Sequence, residues 1–95
     1  MKITLAPEAV DDLAAGIEYL QERNPQAAVE VAQSIFRAID QLAAGEFEGP
    51  ECTLRTTGER VHSWPARPYR IFYVRESGTL VVLRIYHSAR RPIAR

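Results

Sequence analysis

The sequence predicts an α+β fold: an N-terminal β-strand, an antiparallel αα-hairpin, and then a three-stranded antiparallel β-meander, with the helices packed on one face of the sheet. Three observations carry this. Two stretches in the first half repeat apolar residues at three- and four-residue steps, and a single Asn24-Pro25 break separates them. The second half, centred on Tyr69–Arg91, holds two arms rich in β-branched and aromatic residues, folded back at Glu76-Ser77-Gly78-Thr79. With 95 residues, the chain forms one domain over 1–95, large enough for one modest core.

In chain order, Lys2–Leu5 is a short strand with Ile3 and Leu5 on one face. Pro7 suits the first turn of a helix, where its missing N–H is no loss, and Glu8, Asp11 and Asp12 favour the positive end of that helix. Ala6 supplies no side-chain acceptor at the cap. Val10, Leu13, Ile17 and Leu20 form one stripe, giving a helix over Pro7–Glu22. Asn24 then caps a second helix, Pro25–Ala44, whose stripe is Ala28, Val31, Ile35, Ile39 and Leu42, widened by Ala32 and Phe36, with Gly45 as terminator. So short a link makes the two helices antiparallel neighbours. Glu46–Thr57 is read as irregular. Strands follow at Glu59–Trp64, Tyr69–Arg75 and Leu80–His87. The expected core is Val10, Leu13, Ile17, Ile35, Phe72, Val74, Val81, Leu83 and Ile85.

The charge is split. Residues 1–50 carry three basic and nine acidic side chains, a net −6; residues 51–95 carry nine arginines, no lysine and three glutamates, a net +6. Arginine forks suit carboxylates and phosphates better than lysine does, so the second half predicts an acidic partner, either a nucleic acid or an acidic protein segment. The competing reading is solvated strand edges guarded by charge. The lone Cys52 forms no internal disulfide and supports no metal site, and no cofactor motif is present. No apolar run approaches a membrane span and no signal-peptide pattern opens the chain, so a cytoplasmic protein is expected.

Several fragments in this order resemble the RelE/ParE superfamily of type II toxin–antitoxin toxins. They are Ala9-Val10-Asp11-Asp12-Leu13 with Ile17 and Tyr19-Leu20, then Asn24-Pro25-Gln26-Ala27-Ala28, then Arg60. Strongest are Tyr69-Arg70-Ile71-Phe72-Tyr73 and Val82-Leu83-Arg84-Ile85-Tyr86-His87-Ser88-Ala89-Arg90. The segment Val61–Pro65 and the ending His87–Arg90 are closer to ParE. The resemblance implies a cytoplasmic toxin held in a hetero-oligomer by a cognate antitoxin that wraps the helical hairpin and sheet. ParE-like members poison DNA gyrase; RelE-like members cut messenger RNA on the ribosome; an inactive antitoxin-binding homologue is a third possibility.

Metal-free RNA cleavage needs a base, cations for the phosphorane and an acid. Glu51, Arg70 and His87 follow the order of a nuclease branch of the superfamily and are the candidates for that reading. For contacts to target or antitoxin, charge and resemblance together nominate Arg60, Arg70, Arg84, His87 and Arg90. If Ser77-Gly78 is a two-residue turn, paired positions sum to 155. Arg70 then faces Ile85, and Arg84 lies opposite Ile71 on the other surface, beside Tyr69, Tyr73 and Tyr86, so the two arginines form one clamp only if a bulge shifts the register.

Overall fold

The structure is a computed structural model and describes residues 1–88. Its elements run β1 (Lys2–Leu5), α1 (Pro7–Arg23), α2 (Pro25–Ala43), β2 (Glu51–Thr53), β3 (Arg60–Ala66), β4 (Tyr69–Glu76) and β5 (Thr79–His87). The sheet has five strands in the order β1-β5-β4-β3-β2. The expected meander, β3-β4-β5, is its centre. The N-terminal strand lies parallel to β5, and β2 adds an antiparallel edge strand within the segment read as irregular. Three residues of Glu-Cys-Thr carry too little periodicity to be seen as a strand; pairing with β3 makes them one.

The helices form as their caps and stripes require. Asn24 accepts the Ala27 amide at 3.2 Å, Pro25 opens α2, and the Gly45 amide reaches the Leu42 carbonyl to end it. Ala6 has no capping side chain, as expected. The α2 stripe Ala28, Val31, Ile35, Ile39 and Leu42 is buried throughout, and from Val31 onward it packs with Ile71, Tyr73, Leu80, Val82 and Ile85 of the sheet in one core. Leu13, Ile17 and Leu20 of α1 pack partly buried on the same core. Val10 does not: it is 49% exposed, and Ala9 takes the buried place instead. The stripe is narrower there because α1 approaches the sheet through its small residues. Phe36 is likewise outside the core, 48% exposed on the outer side of α2.

Pro65 sits inside β3, paired with Arg70. Its missing N–H costs nothing because β2 spans only the first residues of β3, Arg60–His62, and leaves that side of the strand bare. Ser77 and Gly78 both have positive φ, 48° and 75°, which closes the β4–β5 hairpin with a two-residue turn whose twist matches the strands. From that turn the pairs sum to 155 only as far as Tyr73↔Val82; a bulge follows, and Phe72↔Arg84, Ile71↔Ile85 and Arg70↔Tyr86 come next. Leu83 is the extra residue. The register expected from the turn alone therefore fails beyond it.

That one-residue slip changes which side chains share a surface. Tyr69, Ile71 and Tyr73 lie in the helix-covered core, while Phe72 belongs to a second, smaller cluster with Leu54 and Val61 on the other face. Arg70, Phe72, Arg84 and Tyr86 are together on this helix-free face, and Tyr69 and Tyr73 are not beside Arg84. Val74 and Leu83 are partly buried in the smaller cluster, and Val81 is partly buried on the same side, so these three are not part of the main core.

Candidate functional site

Three half-buried arginines of the sheet, Arg70, Arg75 and Arg84, are each held differently. Arg84 projects from β5 just past the bulge, over the ring of Tyr86 at 4.3 Å. Its Nε and Nη2 donate to the two oxygens of Asp12 at 2.8 and 2.9 Å, and the same carboxylate accepts the Ile85 amide at 3.0 Å. Strand β1 covers only Thr79–Val82 of β5, so Asp12 takes over the sheet edge where β1 stops. The Asp12 hydrogen bonds hold the Arg84 guanidinium above its ordinary pKa, against a smaller opposing push from burial. Tyr86 is also raised, mainly by burial.

Arg75, near the far end of β4, meets Glu48 from the α2–β2 loop through Nε and Nη2, at 3.2–3.3 Å. Tyr73 donates to the same carboxylate and accepts the Gly49 amide at 2.8 Å, and the His62 ring, stacked on Tyr73, bonds the Gly49 carbonyl through Nδ1 at 2.8 Å. Burial, then the bond to Glu48, pushes the Tyr73 hydroxyl up to about 12. Burial opposes ionisation of Glu48, yet the hydrogen bonds from Arg75 and Tyr73 and the Arg75 charge hold its carboxyl below the usual range. Arg75 is raised in return by its bond to Glu48. Gly49 admits no side chain: a Cβ there would lie 1.8 Å from the Ser63 carbonyl oxygen.

Arg70 is the third. It is half-buried on the helix-free face, between its cross-strand neighbours Pro65 and Tyr86. Its Nε donates to Ser63 Oγ at 3.0 Å, and among the described residues no carboxylate lies within ion-pair distance of it. Tyrosines aside, Ser63 is the one buried polar residue among the described residues, 2% exposed.

The nominated residues therefore separate. The bulge does bring Arg70 and Arg84 to one face, yet Arg84 turns over the sheet edge to Asp12 and the two make no clamp. Arg60 is exposed and pairs with Glu51 at 3.4 Å. Glu51 is opposite His62, which is opposite Tyr73. Strand spacing and rise then put Glu51 about 14 Å from Arg70 along the backbone, and on the opposite face. His87 pairs with Tyr69 and sets its ring edge-on to it at 5.3 Å, also on the face away from Arg70. Glu51, Arg70 and His87 do not converge. Arg90 lies outside the described residues. Among those residues no group of His, Cys, Asp and Glu is placed to hold a metal ion. No helix among them is long and apolar enough to cross a membrane.

Four contributors were not nominated from sequence. Asp12 and Glu48 looked like ordinary helix-terminus and loop acids; Ser63 looked like a strand residue; Phe36 was assigned to widen a buried stripe. Only Phe36 left a signal, because its position falls at the margin of the α2 stripe. It stands with Ile17, Ala28, Val29 and Ala32 in a groove of about 940 Å³ along the helical hairpin, rimmed by polar residues including Arg37, Asp40 and Glu46.

A family model described as the ParE toxin of the type II toxin–antitoxin system, parDE, matches residues 3–92. No curated protein matches the chain. Among solved structures, a chain of a chromosomal ParDE TA system from P. aeruginosa superposes with a TM-score of 0.70 at 18% identity, over 92% of this chain and 95% of that one. At that identity the likeness is one of fold.

Proposed function

The chain belongs to the ParE toxin family of type II toxin–antitoxin systems, and from that membership we propose that it arrests growth in the cytoplasm by poisoning DNA gyrase and is silenced by a cognate antitoxin. The observation that favours binding over hydrolysis is the separation of Glu51, Arg70 and His87. Cleavage of RNA without a metal requires base, cation and acid around one phosphate. Here the glutamate is salt-bridged on an edge strand and the other two groups are on opposite faces. A protein that stalls its target by docking needs no such convergence.

The groove on the helical hairpin supports the antitoxin half of the reading. An apolar floor with Phe36 and Val29 exposed, bordered by charges of both signs, fits the apolar face of a partner segment. Replacing Phe36 by Glu is expected to weaken antitoxin binding by at least about tenfold, since exposed aromatic anchors carry much of an interface's energy. Stability should stay within about 0.5 kcal/mol. Isothermal titration with the antitoxin and urea unfolding read the two effects separately.

The target is tested directly. Purified protein added to gyrase and relaxed plasmid is expected to block supercoiling and accumulate cleaved DNA; supercoiling untouched at excess protein refutes the proposal. Ribosome-bound messages cut at codons, with cutting lost in Glu51→Ala or His87→Ala, would establish the RelE-like nuclease in its place.

A further inference from the structure

The three half-buried arginines of the sheet are not treated alike. Arg75 and Arg84 each face a carboxylate, and each draws that carboxylate from the acidic first half of the chain. Arg70 is given a neutral hydroxyl. A guanidinium taken partly out of water without a counter-charge is unfavourable, and nothing in the packing of the main core requires one at that position. Serine hydroxyls are seldom buried without reason, and this one, 2% exposed, accepts from Arg70 Nε. With Nε bonded to Ser63 Oγ, neither terminal nitrogen of Arg70 donates to another described residue, which leaves a planar pair of donors of the kind that matches a carboxylate or phosphate through two parallel bonds.

We propose that Arg70, oriented by the buried Ser63 hydroxyl, is the fork by which the helix-free sheet face takes a carboxylate of the toxin's protein target. This deepens the toxin reading above and rests on it. The surroundings favour a protein carboxylate over a nucleic-acid phosphate. A backbone of phosphates is gripped by several cations in a row, and its affinity grows with their number. On this face Arg84 is already satisfied in two-pronged fashion by Asp12. Among the described residues, what surrounds Arg70 is instead apolar and aromatic: Pro65 and Tyr86 beside it, Val74 and Leu83 beyond, all partly or fully exposed. One oriented arginine in an apolar, aromatic surround is the composition of the central part of a protein–protein interface.

The test compares wild type with Arg70→Gln, Arg70→Lys and Ser63→Ala in three assays: gyrase supercoiling, growth arrest on induced expression, and anisotropy of a labelled single-stranded oligonucleotide. Urea unfolding shows which variants are folded. Arg70→Gln is expected to raise the concentration for half-inhibition at least about tenfold. Arg70→Lys should do nearly as much, because a lysine keeps the charge and loses the fork. Ser63→Ala should lose several-fold, and oligonucleotide binding should not change. Should Arg70→Gln fail to fold, Arg70→Lys and Ser63→Ala carry the same comparison.

Variants as potent as wild type overturn the proposal, and so does a lysine variant that keeps full potency. Loss of oligonucleotide binding in Arg70→Gln overturns it in favour of phosphate recognition. If wild type leaves gyrase untouched while growth arrest still depends on Arg70 and Ser63, the gyrase reading falls and the docking fork stands. A wild-type chain that neither arrests growth nor inhibits gyrase overturns both.

Discussion

The two faces of the sheet handle charge differently. The helix-covered face is closed by a continuous core, and the acids of the first half are brought to it: Glu48 from the loop after α2 grips Arg75, and Asp12 of α1 grips Arg84 around the strand edge. Among the described residues, the helix-free face has the small cluster of Leu54, Val61 and Phe72, and its remaining half-buried arginine, Arg70, has no acid within ion-pair distance. The difference teaches how to read the charge split along the sequence. Part of it is internal: an acidic helical half and a basic sheet half that clasp each other. The charge left for a partner is smaller than +6 suggests, and Arg70 marks one place where it is concentrated.

Breaking a clasp should have the largest effect. Asp12→Ala removes both bonds to Arg84 and leaves the Ile85 amide at the bare edge of β5 without its acceptor. The pair is about four-fifths buried on average. Stability is expected to fall by about 3 kcal/mol, since removing one partner strands the other charge. Urea denaturation measures it. The double variant with Arg84→Met should recover part of the loss; an Asp12→Ala protein as stable as wild type would show the clasp to be incidental.

Somewhat less is expected from Gly49→Ala. The added methyl would meet the Ser63 carbonyl and force the loop off β3, disturbing the Tyr73 and His62 bonds to Gly49 as well. A loss of about 2 kcal/mol is expected. Because Ser63 also orients Arg70, this variant links the two faces: its Arg70-dependent inhibition of the target should weaken along with its stability.

The order of elements was legible because it rests on local signals. The Asn24-Pro25 break, the α2 stripe and the Ser77-Gly78 turn each act within a few residues, and each is found as read. What failed to show was non-local. The bulge at Leu83 lets both Val82 and Ile85 face the main core, and no residue there announces it. Strand β2 exists only through its partner β3. The clasps join positions 27 and 72 residues apart in sequence, and an acid that will pair looks the same as one that will not. Of the candidate site, the arginine positions were visible while their availability was not, since that depends on which acids the fold delivers.

The smallest effect separates the two clasps by pH. The folded Glu48 carboxyl is held below its unfolded value by Arg75 and Tyr73 despite the opposing effect of burial. Its contribution to stability is therefore fully present above the ordinary glutamate value, about 4.3, and is lost as pH falls through the lower folded value. Its side chain is 47% exposed, so solvent screens the interaction and the contribution stays below about 1 kcal/mol. Glu48→Gln should thus lose that amount at pH 7, and the loss should shrink as pH falls below about 4.3, so that the two unfolding curves converge as acid is added. Added salt should narrow the gap at pH 7 as well, because the pair is half open to solvent. Curves that stay parallel from pH 7 to pH 3 would mean that Glu48 holds the loop through its shape and neutral hydrogen bonds, and that of the two clasps only Asp12–Arg84 is electrostatic.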